Sequence, residues 1–184
     1  MRATALLVLL CGMVGSVQAA PAADAQVKSV VDQLGLGSLG ASMAQLMIDN
    51  TPALKALDGP QQECARKPVQ EMLDQEFRRS MIAGLGEDGD QVMAEWTRFL
   101  ATPAGRALST AFANASAETV AAKAGDGLAG NDRAALEAFL RGPAYTRFVA
   151  SFDQSSPVPE DSGARLAQGL QDQCRIALTP EDVS

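Results

Sequence analysis

Three carboxylates, Glu87, Asp88 and Asp90, crowd the glycine-flanked stretch 84–90. Two carboxylates facing one cleft, one of them held protonated, are the minimum for acid–base hydrolysis of a glycosidase kind. The question falls to them because the chain contains no histidine. That absence removes Ser-His-Asp and Cys-His catalysis, His-ligated zinc, His-ligated haem and a histidine pH switch. Acidic residues on a glycine-rich turn more commonly cap helices and keep the surface soluble, and Asp90 is placed to cap the helix that follows. Asp88 and Asp90 also offer two ligands for calcium, but an EF-hand needs alternating ligands and a closing glutamate, and nothing sits at the far end. Asp126, Asn131 and Asp132 are no better. Lysine chemistry would fall to Lys28, Lys55, Lys67 or Lys123, and Lys123 is placed to complement a helix dipole. Gly35-Leu36-Gly37 and Gly125-Asp126-Gly127 lack the P-loop lysine and read as connectors. The expectation is no catalytic residue, no metal and no cofactor, with a carboxylate-dependent hydrolase as the minor alternative.

The remaining reactive type is cysteine, and its meaning depends on compartment. Arg2, an apolar stretch over residues 3–17 and the small-residue run Val17-Gln18-Ala19 have the form of an export signal cleaved after Ala19. The stretch is shorter than the ~20 residues a membrane span needs, so no stable membrane insertion is expected after cleavage. Cys11 follows Leu10, where a lipoprotein signal carries a small residue, so a lipid anchor is rejected. The domain is then 20–184, in the periplasm, and it retains two of the three cysteines, Cys64 and Cys174. An even pair in an exported protein reads as a disulfide; two free thiols are the alternative, and no C-x-x-C speaks for redox activity.

Formal charge is −7. Non-specific nucleic-acid binding needs clustered positive charge, so no nucleic-acid partner is expected.

Apolar residues recur at helical spacing almost throughout. Val27, Val30, Val31 and Leu34 form one stripe, ended by Gly35 and Gly37. Leu39, Met43, Leu46 and Met47 form the next, with Ser38 as its expected N-cap. Thr51-Pro52 opens a short helix to Leu57, Asp58-Gly59-Pro60 reads as a loop, and Val69, Met72, Leu73, Phe77 and Met81 mark a longer helix that Pro68 either starts or kinks. On that helix Asp74 and Arg78 are spaced for an i, i+4 pair. Later stripes are Val92, Met93, Trp96, Phe99 and Leu100; then Ala104, Ala107, Leu108, Ala111, Phe112 and Ala115; then Leu136, Phe139 and Leu140; then Tyr145, Phe148, Val149 and Phe152. A linker over 155–159 precedes a last stripe of Leu166, Leu170 and Cys174. No run alternates as a strand would. The predicted fold is all-α: a single-domain bundle of about seven to nine helices. Met43, Met47, Met72, Met81 and Met93 fit a core at this spacing better than an adaptable groove.

One pattern repeats. Phe99, Leu100, Pro103, Leu108 and Phe112 return as Phe139, Leu140, Pro143, Phe148 and Phe152, at a constant offset of 40. Each copy, near 90–115 and 131–154, reads as helix, proline break, helix. Two copies are too few for a solenoid.

At the first break the run Phe99-Leu100-Ala101-Thr102-Pro103-Ala104-Gly105-Arg106 resembles the F-[YL]-x-[ST]-P-x-G signature of a family of exported proteobacterial proteins of unknown function. The resemblance covers residues 69–122, and Leu100 stands where an aromatic is common. It implies an all-helical periplasmic domain and transfers no catalytic residue.

Arginines flank both breaks: Arg98 and Arg106 at the first, Arg141 and Arg147 at the second. They read first as solubilising; with Trp96, Phe99, Pro103, Phe139 and Pro143 they are the candidate partner surface, one that could meet an acidic partner, although Trp96 on its stripe fits a core better than an anchor. The functional expectation is a non-enzymatic periplasmic protein that binds a protein partner of unknown identity. The alternative within binding is an immunity protein whose acidity suits a basic toxin. The sequence does not set an oligomeric state.

Overall fold

The computed structural model describes residues 20–114, 119–153 and 159–183. The expected signal over 1–19, Cys11, Ala115 and most of the 155–159 linker lie outside the described residues, as does the side chain of Leu39. The described chain is all-helical, without strands. Its helices are α1 Asp24–Gln33, α2 Gly37–Asn50, α3 Pro52–Lys55, α4 Gly59–Leu85, α5 Gly89–Leu100, α6 Pro103–Asn114, α7 Val120–Gly125, α8 Gly130–Leu140, α9 Pro143–Asp153 and α10 Ser162–Cys174. Tight 3₁₀ turns follow α4 at Gly86–Asp88 and close the described chain at Pro180–Val183. The helix of Pro52–Lys55 is a single turn, which leaves nine longer than one turn among the described residues.

Local differences from the sequence expectations have local causes. Ser38 lies inside α2, where its hydroxyl donates back to the Gly35 carbonyl at 3.0 Å. The expected loop at Asp58-Gly59-Pro60 is the start of α4. Asp58 caps it by accepting from the Gln61 N–H at 2.8 Å, and Pro60 sits in the first turn, where a missing N–H costs nothing. The short helix opened by Pro52 stops at Lys55, before Leu57. Pro68 neither starts a helix nor divides one; it is buried within the 27 residues of α4, against Gly169 of α10. Leu85 still belongs to α4, and Asp90 lies in the first turn of α5 after the N-cap Asp88.

The helices enclose two apolar clusters. The larger gathers α1, the C-terminal half of α4 and α5 to α9 around Trp96, Leu108 and Phe148. The smaller joins α2, α3, the N-terminal half of α4, α10 and the chain end around Ile48, Leu54, Leu166 and Leu170. The long α4 contributes to both. Cys64 on α4 and Cys174 at the end of α10 form a disulfide, S–S 2.06 Å and Cα–Cα 5.8 Å, which clips the smaller lobe.

The helix-proline-helix unit occurs twice, as α5–α6 and α8–α9. Backbone bonds repeat with it. Thr102 N–H donates to the Phe99 carbonyl and Gly142 N–H to the Phe139 carbonyl, both at 2.9 Å. Arg106 N–H meets the Thr102 carbonyl and Thr146 N–H the Gly142 carbonyl, at 3.0 and 3.2 Å.

Candidate functional site

The motif at the first break builds a helix corner. The Thr102 hydroxyl donates to the Phe99 carbonyl at 2.7 Å and accepts from the Gly105 N–H at 3.0 Å, so it closes α5 and caps α6 together. Pro103 follows at the first helical position. A Cβ on Gly105 would overlap the Phe99 carbonyl oxygen and lie 2.5 Å from the Leu100 Cα, so only glycine lets α6 turn this closely over α5. Threonine and glycine thus each have a role in this corner, and proline suits its position.

The aromatics of the expected partner surface mostly face inward. Trp96 is fully buried, its indole N–H donating to the Ala144 carbonyl at 3.2 Å. Its ring meets Phe139 edge-on at 4.8 Å and Phe148 at 4.4 Å. Phe99 is buried and Phe139 half-buried, while Pro103 and Pro143 are exposed at the corners. All four arginines are exposed and engaged within the chain. Arg98 donates to the Ala94 carbonyl and Arg106 to that of Ala101. Arg141 pairs with Glu137 and Arg147 with Asp88, both at 2.7 Å. Pro143 and Arg147 line a shallow depression of about 210 Å³ with Asp88 and Glu95.

The three carboxylates of the 84–90 stretch do not share one cleft. Glu87 is exposed, Asp88 is held by Arg147, and Asp90 accepts from the backbone N–H groups of Ala20 and Gln91. Among the described residues no three His, Cys, Asp or Glu side chains gather where they could hold a metal.

Two apolar concavities flank α2. The first, about 140 Å³, lies between α1, α2 and α4. Val31, Leu36, Met43, Leu73 and Phe77 wall it, and Lys28, Asp32, Asp74 and Arg78 supply charge. The second, about 530 Å³, lies between α2, α4 and α10, with Met47, Met72 and Leu73 along it and Glu76 and Glu160 at its sides. Leu73 belongs to both. Between them α2 carries Met43 and Leu46, 54% and 57% exposed. The face of α2 that packs on the core holds Ala44 and Ile48, so the expected stripe of Met43 and Leu46 looks outward. The methionines therefore divide: Met81 and Met93 are core, Met47 and Met72 pack against the smaller core while lining the second cleft, and Met43 is exposed at the first.

Asp74 gives the first cleft its polarity. Burial pushes its carboxyl above the ordinary 3.8, opposed by the charge of Arg78 and a hydrogen bond from Gln70. The expected Asp74–Arg78 pair does not form. Arg78 reaches Asp24 of α1 at 2.8 Å and donates to the Asp74 backbone carbonyl at 3.2 Å, while Lys28 pairs with Asp32 at 2.6 Å. The Asp74 carboxylate occupies the space before Gly40, where a Cβ would overlap its Oδ1 and lie 3.0 Å from its Cγ. The spacing of Asp74 and Arg78 in the sequence gives no sign of this approach to Gly40. A glycine inside an amphipathic helix was the signal that something approaches its backbone.

No model of a known family, no curated protein and no solved structure matches the chain.

Proposed function

We propose that the protein acts by binding rather than catalysis. Its surface for a protein partner is α2 with the two clefts beside it. The observation that carries this is the pair Met43 and Leu46, large apolar side chains held in solvent on a helix flanked by methionine-lined hollows. Met-rich surfaces of this kind adapt to an inserted amphipathic helix. The occupant we commit to is an amphipathic segment with basic residues beside its apolar anchors. Of the acids at the clefts, Asp32 is paired with Lys28 and Glu76 with Arg79 and Arg165, so Asp74 in one and Glu160 at the other carry the complementarity, on a chain of −7 overall. Asp74 has no internal cation within ion-pair distance among the described residues and is the group to meet a basic side chain. The same acidity supports a narrower form of the reading, an inhibitor that neutralises a basic toxin.

We place this binding in the periplasm. The form of residues 1–19, the Cys64–Cys174 disulfide and the likeness of the Thr102 corner to the exported family support it. No helix among the described residues is long and apolar enough to cross a membrane.

Photo-crosslinking tests the surface. A photoreactive residue at Leu46 should trap one discrete partner, and the same residue at exposed Ala121 on α7 should not. The product at Leu46 should fall at least tenfold in an Asp74→Asn or Gly40→Ala background, since the added methyl displaces the carboxylate. Equal products at both positions, or a product indifferent to Asp74 and Gly40, would overturn the proposal.

A further inference from the structure

The stretch before α1 is seated on the fold by a reciprocal contact. Asp90 N–H donates to the Ala20 carbonyl at 3.0 Å, and Ala20 N–H reaches back to Asp90 Oδ1 at 3.4 Å. Two residues on, Ala22 is buried in the larger core. Asp90 also accepts from the Gln91 N–H at 2.6 Å, which fixes its carboxylate in the first turn of α5. The neighbouring Asp88 is held by Arg147, and among the described residues no cation lies within ion-pair distance of Asp90.

We infer that Ala20 is the processed N-terminus and that its α-ammonium, released by hydrolysis of the Ala19–Ala20 peptide bond, docks on the Asp90 carboxylate as a charge-assisted staple. The inference rests on the export reading of residues 1–19. In the hydrolysis water supplies a hydroxyl to the Ala19 carbonyl carbon and a proton to the departing Ala20 nitrogen. At neutral pH that amine gains a second proton and the new Ala19 acid loses one. A single amide donor becomes a cation with three, at a nitrogen that already faces Asp90. A hydrogen bond between two charged groups is shorter and about twice as strong as its neutral counterpart. Processing then does more than release the chain: it supplies the counter-charge that Asp90 lacks and fastens the segment ahead of α1 to α5.

The test uses the full chain, expressed with its own leader in an exporting bacterial host and purified from the periplasm. Intact mass and N-terminal sequencing should show Ala20 first. A start at another residue overturns the assignment of Ala20, and material retaining residues 1–19 overturns the export reading with it. Selective acetylation of the α-amine, which leaves every side chain unchanged, should lower Tm by a few degrees. Asp90→Asn should lower Tm by more in the free-amine protein than in the acetylated one. Equal losses in the two, with Ala20 confirmed as the terminus, would overturn the staple while leaving export intact. If Asp90→Asn does not fold, acetylation alone decides: an unchanged Tm overturns the staple.

Discussion

Phe99 and Phe139 hold equivalent places in the two helix-proline-helix units, and their rings stack on each other at 3.7 Å with planes 4° apart. The two units therefore meet through the same residue of each. Trp96 of the first unit lies across the contact and reaches Phe148 and the Ala144 carbonyl of the second.

Loss of that bridge should be costly. Trp96→Ala removes a fully buried side chain and should destabilise the fold by roughly 3–5 kcal/mol. A double-mutant cycle between Phe99→Leu and Phe139→Leu should return a coupling of about 1 kcal/mol, as aromatic pairs give. Urea unfolding of the five proteins, the wild type included, measures both; additive losses at positions 99 and 139 would mean the stacking contributes nothing.

The two corners should respond differently to the same change. At Gly105 a methyl would overlap the Phe99 carbonyl, whereas at Gly142 it would sit 3.1 Å from that of Phe139. Gly105→Ala should cost roughly 3 kcal/mol, at the upper end of overpacking effects, and Gly142→Ala clearly less. Chemical denaturation compares them, and the reverse order would contradict the corner geometry.

Reduction should weaken the smaller lobe. The Cys64–Cys174 bridge spans 110 residues, and a loop of that size contributes roughly 4–5 kcal/mol in the chain-entropy model. A double Cys64→Ser, Cys174→Ser variant should melt roughly 10 °C lower, given a few degrees per kcal/mol at this chain length. Calorimetry with and without a dithiol reductant reads the difference; coincident melting curves would refute it.

Asp74 should set a pH-dependent gap between the wild type and Asp74→Asn. Burial raises its folded-state pKa above the unfolded 3.8, with Asp32 adding to the rise and Arg78, Gln70 and Lys28 opposing it. Its contribution to stability is full below the unfolded value and is lost as pH rises through the folded one. Asp74→Asn should therefore gain on the wild type between about pH 3 and neutrality, while losing the crosslink at Leu46. Urea midpoints across that range test it, and a gap that stays constant with pH would exclude the desolvation account.

Helical class and the doubled unit were legible because both rest on local signals. The stripes Val27–Val30–Val31 and Val92–Met93–Trp96–Phe99 repeat at helical spacing, and Pro103 and Pro143 mark the breaks. Even the long-range Cys64–Cys174 pairing followed, since with Cys11 in the expected export signal the two cysteines left allow one bond. The candidate site was not legible. Whether Met43 and Leu46 face in or out depends on which side of α2 meets α4, and a stripe of Ala44 and Ile48 is as apolar as its neighbour. Arg78 has acidic choices at Asp74 and Asp24, and only the placement of α1 brings Asp24 into reach. Trp96 and Phe99 belong by their spacing to a core stripe, and α8 and α9 cover them.

The paired units share an offset of 40 but are not interchangeable parts. Where the first has Gly105 wedged against a carbonyl, the second has Tyr145, whose ring stacks 6.0 Å from Trp96. A chimera carrying α8–α9 in place of α5–α6 would bring a phenol into a space that admits no methyl. Each half is fitted to the other, and a change in one copy offers no guide to the same change in its twin.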